Sequence, residues 1–218
     1  MTKPIIHIVA GGPRNLIPDL SLFIDHPVLW AGVDHGVRTI FQAGIAPHVA
    51  VGDFDSISTE EWQQIEKKVP AIHKFRPEKD ETDMELALLW AVGQTPEKIV
   101  IFGATGGRLD HFMANAFLAA AYKQKYPDIM FELIDTNNTI SVWLPGMHTI
   151  EQDPAKKYVS FIPVFNEVIG LTLSGFKYPL RNHTVPLGSS LCVSNELIRQ
   201  TGHFSFEKGI LMMIRSMD

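Results

Sequence analysis

Two aspartates, Asp53 and Asp55, follow a short apolar segment that ends at Gly52. On a regular strand their side chains would point to opposite faces, but on a turn after a strand they can converge, and a glycine makes that turn easier. Converged carboxylates repel each other unless a cation lies between them. Mg²⁺ suits this position, because it takes one or two carboxylates and binds substrate phosphates at its other positions. The alternative is two solvated turn residues.

A second acidic group lies at a predicted helix start. Thr82 with Glu85 three residues later is a capping-box pattern, which predicts a helix to about residue 92. Capping explains acids in the first helical turn, but it does not explain Asp80 together with Asp83, preceded by Lys79. Mixed acids and a base beside a helix start suit a metal-bridged polyphosphate, and a solvated helix cap is the alternative.

A glycine-rich segment precedes the predicted helix 109–125. Gly106 and Gly107 let backbone N–H groups approach phosphate oxygens, and a helix N-terminus favours anions. Arg108 can fork onto a phosphate. The segment matches neither the Rossmann fingerprint nor a P-loop, so a tight turn capped by Asp110 is the alternative.

The first two-thirds of the chain alternates strand and helix patterns. The predicted strands are 5–10, 28–33, 48–51, 98–102 and 130–135, and the predicted helices are 37–43, 58–68, 82–92 and 109–125. This alternation predicts a parallel sheet covered by helices, with ligands outside the carboxyl ends of the strands. Asp34, at the end of the second strand, adds a further acid to that edge.

The pattern changes after about residue 138. Short, often β-branched segments separated by Gly, Pro or Asn are predicted as strands, at 139–144, 149–151, 158–164, 170–174, 190–194 and 209–215. They predict a small antiparallel β domain at 139–218, after an α/β domain at 1–138. From the sequence alone, its polar triplet Ser194-Asn195-Glu196 is better explained as a simple turn. Cys192 falls in a predicted apolar strand, which disfavours a nucleophilic role.

Composition excludes several classes of function. The net charge is −5 and there is no basic run of five residues, so nucleic acid is disfavoured as a partner. A single cysteine excludes an internal disulfide framework and suits a reducing cytoplasm. We expect neither a signal peptide nor a membrane span, because no segment approaches about 20 apolar residues.

Taken in order, these motifs resemble the thiamine pyrophosphokinase family over nearly the whole chain. The residues that carry the resemblance are 34–36, 47–56, 79–85, 106–111, 115, 135–138, 170–180 and 194–196. The resemblance implies a Rossmann-like α/β nucleotide domain, a C-terminal β-sandwich and a homodimer with its active site where two chains meet. It implies transfer of the pyrophosphoryl group of ATP to the hydroxyl of thiamine, with Mg²⁺ as cofactor and AMP leaving.

The resemblance also implies roles for individual residues. The Mg²⁺ ligands would be Asp53, Asp55 and Asp83, and the catalytic group would add Asp80, with the choice of proton acceptor between Asp80 and Asp83 left open. The ATP-binding group would comprise Asp34, Lys79, Thr82, Gly106, Gly107, Arg108, Asp110 and His111. Ser194 and Asn195 of the neighbouring chain would face thiamine.

The chain departs from the family pattern at two places. His35 stands where the family usually has glycine, and Met212 and Met213 stand on the last strand, where some members carry a tryptophan. Two other functions are consistent with parts of the pattern, a metal-dependent glycosyltransferase and a non-catalytic nucleotide sensor. The first leaves the β domain unused, and the second does not need four acids at one edge.

Overall fold

The computed structural model describes residues 2–24, 27–55, 57–76, 78 and 80–218. The chain divides into two compact units. Unit 1 contains Met1–Leu118 and Phe131–Thr136, and unit 2 contains Ala119–Met130 and Asn137–Asp218. No helix within the described ranges is long and apolar enough to cross a membrane.

Unit 1 is built on a mostly parallel sheet. Its strands are β1 Ile5–Val9, β2 Val28–Val33, β3 Val49–Gly52, β4 Ala71–Lys74, β5 Lys98–Phe102 and β6 Met130–Ile134, in the spatial order β4-β3-β2-β1-β5-β6. Helices α1 Gly36–Gln42, α2 Thr59–Lys68 and α3 Asp83–Gly93 belong to unit 1, together with short 3-10 helices at Arg14–Leu16 and Leu20–Phe23. Helix α4 Leu109–Lys125 contributes its residues up to Leu118 to this unit. Strands β1 to β5 pair in parallel, so the predicted alternation is confirmed.

The helix starts follow local sequence signals. The Ser58 hydroxyl accepts a hydrogen bond from the Glu61 N–H at 3.2 Å, and the Glu61 carboxylate accepts one from the Ser58 N–H at 3.1 Å. This capping box starts α2, as its sequence predicts. The Thr82 hydroxyl accepts from the Glu85 N–H at 3.2 Å and caps α3 in the same way, without the reciprocal bond.

Strand β4 was not predicted from the sequence. Its four residues include the exposed His73 and Lys74, and it pairs with β3 at the edge of the sheet. A strand this short carries too little apolar alternation to be recognised, and its position comes from its partner β3.

A buried histidine lies within the core of unit 1. His7, on β1, is 4% exposed, and its ring centroid lies 5.9, 4.6 and 5.4 Å from those of Phe23, Trp30 and Phe102. Its Nδ1 has no hydrogen-bond partner among the described residues. Burial, with a smaller contribution from Lys98, lowers the pKa of His7 to about 4. The imidazole is therefore a neutral part of an aromatic cluster.

Unit 2 is an antiparallel β structure. Its strands are β7 Asn138–Trp143, β8 Gly146–Glu151, β9 Tyr158–Ser174, β10 Leu180–Val185, β11 Asn195–Glu196, β12 Thr201–Phe206 and β13 Lys208–Ser216. The spatial order is β7-β13-β9-β12-β8, and β10 and β11 also pair with β9. The buried core of unit 2 includes Phe161, Phe176, Phe204 and Leu211. The prediction of an antiparallel β region is confirmed.

Two predictions of strand limits in unit 2 were wrong. The predicted strands 158–164 and 170–174 are one continuous strand, β9, whose register to β13 shifts between Val164 and Ile169. Residues 190–194 are not a strand; they form a turn, and β11 starts only at Asn195. Cys192 therefore lies in a turn, where it is buried, and burial raises the pKa of its thiol.

Candidate active site

The loops at the carboxyl edge of unit 1 are packed against one another by close backbone contacts. The Gly12 N–H donates to the Gly103 carbonyl at 2.9 Å, and a Cβ added at Gly12 would collide with that carbonyl oxygen. Gly103 has φ 67°, and a Cβ there would collide with the Ala10 carbonyl. These contacts join the ends of β1 and β5, where the strand order reverses and where open α/β sheets bind their ligands.

A second set of contacts joins the ends of β1, β2 and β3. A Cβ added at Gly36 would collide with the Val9 carbonyl, and one added at Gly52 would collide with Asp34 Oδ1. Asp34 has φ 46°, and its N–H donates to the Val51 carbonyl at 3.1 Å. The Asp34 carboxylate therefore lies against the backbone that leads into the turn carrying Asp53 and Asp55, called here the aspartate turn.

The aspartate turn itself is shaped by a buried phenylalanine. Phe54 has φ 58° and is buried between the half-buried Asp53 and the exposed Asp55. Asp53 Oδ1 accepts a hydrogen bond from the Asp55 N–H at 3.1 Å. The turn therefore presents both carboxylates outside the sheet, with one oxygen of Asp53 already used.

The acids before α3 occupy a helix start. Thr82 is the N-cap, its hydroxyl is used by the cap, and Asp83 is the first helical residue and is half-buried. Asp80 is exposed in the preceding bend. Lys79, assigned to the ATP end from the sequence, lies outside the described residues.

Arg108 is engaged within its own loop. Its Nη2 and Nε lie 2.6 and 3.1 Å from Asp110 Oδ2 and Oδ1, which makes a two-point ion pair with both side chains exposed, 73% and 63%. This pair, with the His111 N–H, lowers the pKa of Asp110 to about 2. Exposed ion pairs contribute little, so a phosphate can replace Asp110 on the guanidinium.

The glycine segment around Gly106 and Gly107 is hydrogen-bonded to a buried acid. The Thr105 hydroxyl donates to Asp135 Oδ2 at 2.7 Å, and Asp135 is buried. Gly106 has φ 75°, and a Cβ there would collide with Leu16 Cδ1. Residue 135 belongs to a motif of the resemblance, but no role was predicted for it. An acid at the end of a predicted strand was the feature that could have indicated its hydrogen bond to the glycine segment.

Among the residues that the structure describes, no group of three or more histidine, cysteine, aspartate or glutamate side chains could hold a metal ion. Mg²⁺ does not need such a group, because it takes one or two carboxylates and completes its shell with waters and substrate phosphates. Asp34 against Gly52, followed directly by Asp53, supplies carboxylate oxygens of that kind. The donor chemistry therefore fits a hydrated divalent cation.

In unit 2 the two residues predicted to face thiamine differ in exposure. Ser194 is exposed, has φ 57°, and donates its N–H to the Ser160 hydroxyl at 2.9 Å. Asn195 is 2% exposed, and its side-chain amide is bonded to the backbone of Tyr178. Only Ser194 presents its side chain to solvent.

The two departures from the family pattern are accommodated. His35 has φ −59° and ψ −18°, a helical conformation open to any residue, and its side chain is exposed. Met212 and Met213 are both buried. Neither position is strained by the residue that occupies it.

The fold and the site define a class: mixed α/β proteins that gather acids and glycine turns at the carboxyl edge of a mostly parallel sheet and carry an antiparallel β unit as well. Two family models match this chain. They are thiamin pyrophosphokinase, catalytic domain, over residues 20–131, and thiamin pyrophosphokinase, vitamin B1 binding domain, over residues 147–211.

Relatives match over the whole length. The chain is 54% identical to the thiamine pyrophosphokinase of Bacillus subtilis (strain 168), over 98% of this chain and 99% of the relative. It superposes on the crystal structure of the Bacillus subtilis thiamine pyrophosphokinase with a TM-score of 0.91 and 52% identity, covering 98% and 99% of the two chains. For the Geobacillus thermodenitrificans thiamin pyrophosphokinase the TM-score is 0.88 and the identity 50%, with 98% of each chain covered.

The chain belongs to the thiamine pyrophosphokinase family, and it is a transferase of that family. The resemblance drawn from the sequence is confirmed. The glycosyltransferase and sensor interpretations lose their support, since neither accounts for a match to both family models.

Proposed function

We propose that this chain transfers the pyrophosphoryl group of ATP to the hydroxyl of thiamine, giving thiamine diphosphate and AMP. The observation that carries the proposal is the whole-length identity of 54% to a thiamine pyrophosphokinase. The packed loops at the carboxyl edge of unit 1 support it, because phosphoryl transfer depends mainly on positioning and on charge neutralisation.

The ATP end is proposed to lie at the reversal of strand order, between the ends of β1 and β5. Gly106 and Gly107 precede α4, which starts at Leu109, so their N–H groups lie close to the N-terminus of that helix, where anions are favoured. Arg108 would exchange Asp110 for a phosphate oxygen, while Asp110 and His111 hold the turn. Asp34, Thr82 and Lys79 complete the proposed set of ATP-binding residues.

Mg²⁺ is the proposed cation, with Asp53, Asp55 and Asp83 as its ligands. When bound, it would neutralise charge on phosphate oxygens. Asp34 and Asp80 would lie beside these ligands, and Asp80 or Asp83 would receive the proton of the thiamine hydroxyl. Asp80 is the better acceptor of the two, because a metal-bound carboxylate is a poor base.

Architecture and assembly at a finer level are also proposals. Unit 1 would hold nucleotide in a Rossmann-like manner, unit 2 would be a β-sandwich, and the boundary would fall near residue 138. We propose a cytoplasmic homodimer in which the exposed Ser194 of one chain faces thiamine in the site of the other, with the buried Asn195 next to it in the chain. Exposed apolar side chains support an interface: Leu109, Met113 and Phe117 on α4, and Leu187, Leu191 and Ile198 in unit 2.

The proposed reaction breaks the bond between the α- and β-phosphates. A simple kinase would attack the γ-phosphorus and release ADP, typically with a P-loop around the phosphates, and no such motif occurs in this sequence. Acids on two separate loops, one after β3 and one before α3, could bracket a longer polyphosphate.

The test follows products over time by chromatography or phosphorus NMR. The purified chain with ATP, Mg²⁺ and thiamine should form AMP and thiamine diphosphate in equal amounts, and a mixture without thiamine should form neither. Release of ADP in proportion to product, or accumulation of thiamine monophosphate, would overturn the proposed bond cleavage. Absence of any phosphorylated thiamine would overturn the substrate.

A further inference from the structure

Phe54, the middle residue of the aspartate turn, combines a left-handed backbone with a buried ring. Its φ is 58° and the residue is 5% exposed, whereas Asp53 before it is half-buried and Asp55 after it is exposed. A left-handed φ is an outlier for a bulky residue, and it persists only where the surrounding structure holds it. Such outliers cluster at functional sites, so the cause of this one bears on function.

Packing among α1, β3 and α2 holds the Phe54 backbone. The ring centroid lies 5.3 Å from that of Trp62, a residue of α2. The ring also belongs to a cluster of buried side chains from these three elements and the C-cap of α2, namely Val37, Ala50, Ile65 and Val69. Burying a phenylalanine ring is among the larger favourable contributions of a single side chain, so it offsets the cost of the left-handed φ.

The inward-facing ring fixes the relation between the two carboxylates. Asp53 Oδ1 accepts from the Asp55 N–H at 3.1 Å, in an Asx turn, where an aspartate side chain bonds to the backbone two residues later. This bond closes the turn around Phe54 and leaves the Asp55 side chain exposed. If the ring left the cluster, the φ of residue 54 would no longer be held, and the two carboxylates would lose their fixed relation.

The start of the turn is fixed separately, through the backbone. The Gly52 carbonyl accepts from the Phe75 N–H at 3.0 Å, which joins the end of β3 to the residue after β4. This bond does not involve the side chain of Phe54. A substitution at residue 54 can therefore loosen the carboxylates while the end of β3 stays paired.

We propose that Phe54 is a positioning residue for the cation site, because its buried ring holds the left-handed backbone that places Asp53 and Asp55 for binding a divalent cation. This inference rests on the proposed function and deepens its Mg²⁺ site. The ring does not contact the cation and acts only through the two carboxylates. Its loss should therefore weaken cation binding and lower kcat, and it should leave the KM for thiamine nearly unchanged.

The experiment measures the binding of Mn²⁺ to the purified full chain without substrates, by electron paramagnetic resonance of the unbound ion. Mn²⁺ suits the same oxygen ligands as Mg²⁺. Phe54→Ala removes the ring and should raise the dissociation constant for Mn²⁺ about tenfold, as loss of the groups that orient metal ligands typically does. Phe54→Gly takes φ 58° without strain but has no ring to anchor it, so it should behave like Phe54→Ala. Phe54→Leu keeps most of the apolar volume and should stay within about threefold of the unaltered chain.

Two control variants match this change without touching the turn. Val69→Ala removes buried volume from the same cluster at the far end of α2. Phe165→Ala truncates another phenylalanine with a left-handed φ, 70°, in β9. Because distant substitutions act independently, both controls should keep the dissociation constant for Mn²⁺ within about twofold of the unaltered chain.

Steady-state kinetics give the second readout. In Phe54→Ala the Mg²⁺ concentration for half-maximal rate should rise about tenfold, while the KM for thiamine stays within about twofold. A change that merely destabilised unit 1 would not separate these two constants.

Three results would overturn the inference. The first is a dissociation constant for Mn²⁺ in both Phe54→Ala and Phe54→Gly within about twofold of the unaltered chain. The second is an equal weakening in Val69→Ala, which would indicate general loosening of unit 1. The third is an unaltered chain that binds no Mn²⁺, since there would be no cation site to position.

The Mn²⁺ titrations also separate this inference from the proposed function. If the unaltered chain binds Mn²⁺ but forms no thiamine diphosphate, the proposed reaction fails, and the titrations still decide the role of Phe54. If Phe54→Ala melts below the assay temperature, Phe54→Gly and Phe54→Leu carry the same comparison with Val69→Ala.

Discussion

The candidate site residues of unit 1 and of unit 2 are held in place in different ways. In unit 1, Asp53 and Asp55 lie on a turn, and glycines with close backbone contacts shape the neighbouring loops. In unit 2, the polar residue Asn195 is itself buried and fixes the backbone of an exposed neighbour. The comparison teaches that polar residues of one family motif can differ in what they contact: a buried one fixes a neighbouring backbone, and an exposed one is left open to solvent.

The largest effect is expected from neutralising Asp55, an exposed acid of the aspartate turn in unit 1. Asp55→Asn should lower kcat by at least about a hundredfold, because the carboxylate charge rather than its shape is needed for a cation. The melting temperature should stay within a few degrees, since exposed substitutions usually cost less than about 0.5 kcal/mol. Asp128→Asn, an exposed acid away from the edge, is the control. Full activity of Asp55→Asn at low Mg²⁺ would remove Asp55 from the metal site.

The second test asks whether close backbone contacts determine the stability of the loops at the carboxyl edge of the unit 1 sheet. Gly103→Ala should lose about 3 kcal/mol of unfolding free energy, because the alanine would have a left-handed φ of 67° and would collide with the Ala10 carbonyl. Gly44 has φ 74° with open space around it, so Gly44→Ala should lose only about 1 kcal/mol. Urea unfolding of both variants measures the difference. Equal losses would mean that backbone strain alone, and not the contact between loops, limits residue 103.

The third test asks whether a hydrogen bond to a buried side chain supports a loop of unit 1, as the bond of Asn195 does for the backbone of Tyr178. Thr105→Val removes the hydroxyl that donates to buried Asp135 and should cost about 1 to 2 kcal/mol. It should also raise the KM for ATP a few-fold and leave the KM for thiamine unchanged, because the bond supports the glycine segment. Thr105→Ser keeps the hydroxyl and should restore both values. If Thr105→Val changes stability alone, Asp135 is only a structural partner.

Local features of the fold were predictable from the sequence because their causes are local. The Ser58–Glu61 capping box, the strand-helix alternation and the glycine segment each depend on residues close together in the chain. Strand β4 was not predictable, because its four residues, two of them exposed, form a strand through their pairing with β3. The continuity of β9 likewise depends on its pairing with β13.

The same distinction between local and long-range causes applies to the candidate site. That Asp53 and Asp55 lie on a turn follows from Gly52 beside them. The pairing of Arg108 with Asp110 spans two residues and could have been expected from that spacing. The bond between Asn195 and Tyr178 spans 17 residues, so no local pattern indicated that the amide was already used.

The buried imidazole of His7 makes the unfolding free energy depend on pH. Its pKa is about 4 in the folded chain against about 6.5 when exposed, so between these values the unfolded state binds more protons. Stability contributed by the neutral ring is therefore complete above pH 6.5 and decreases as the pH falls towards 4, by up to roughly 3 kcal/mol. Acidification would thus weaken the aromatic cluster around β1, the strand whose carboxyl end leads to Gly12.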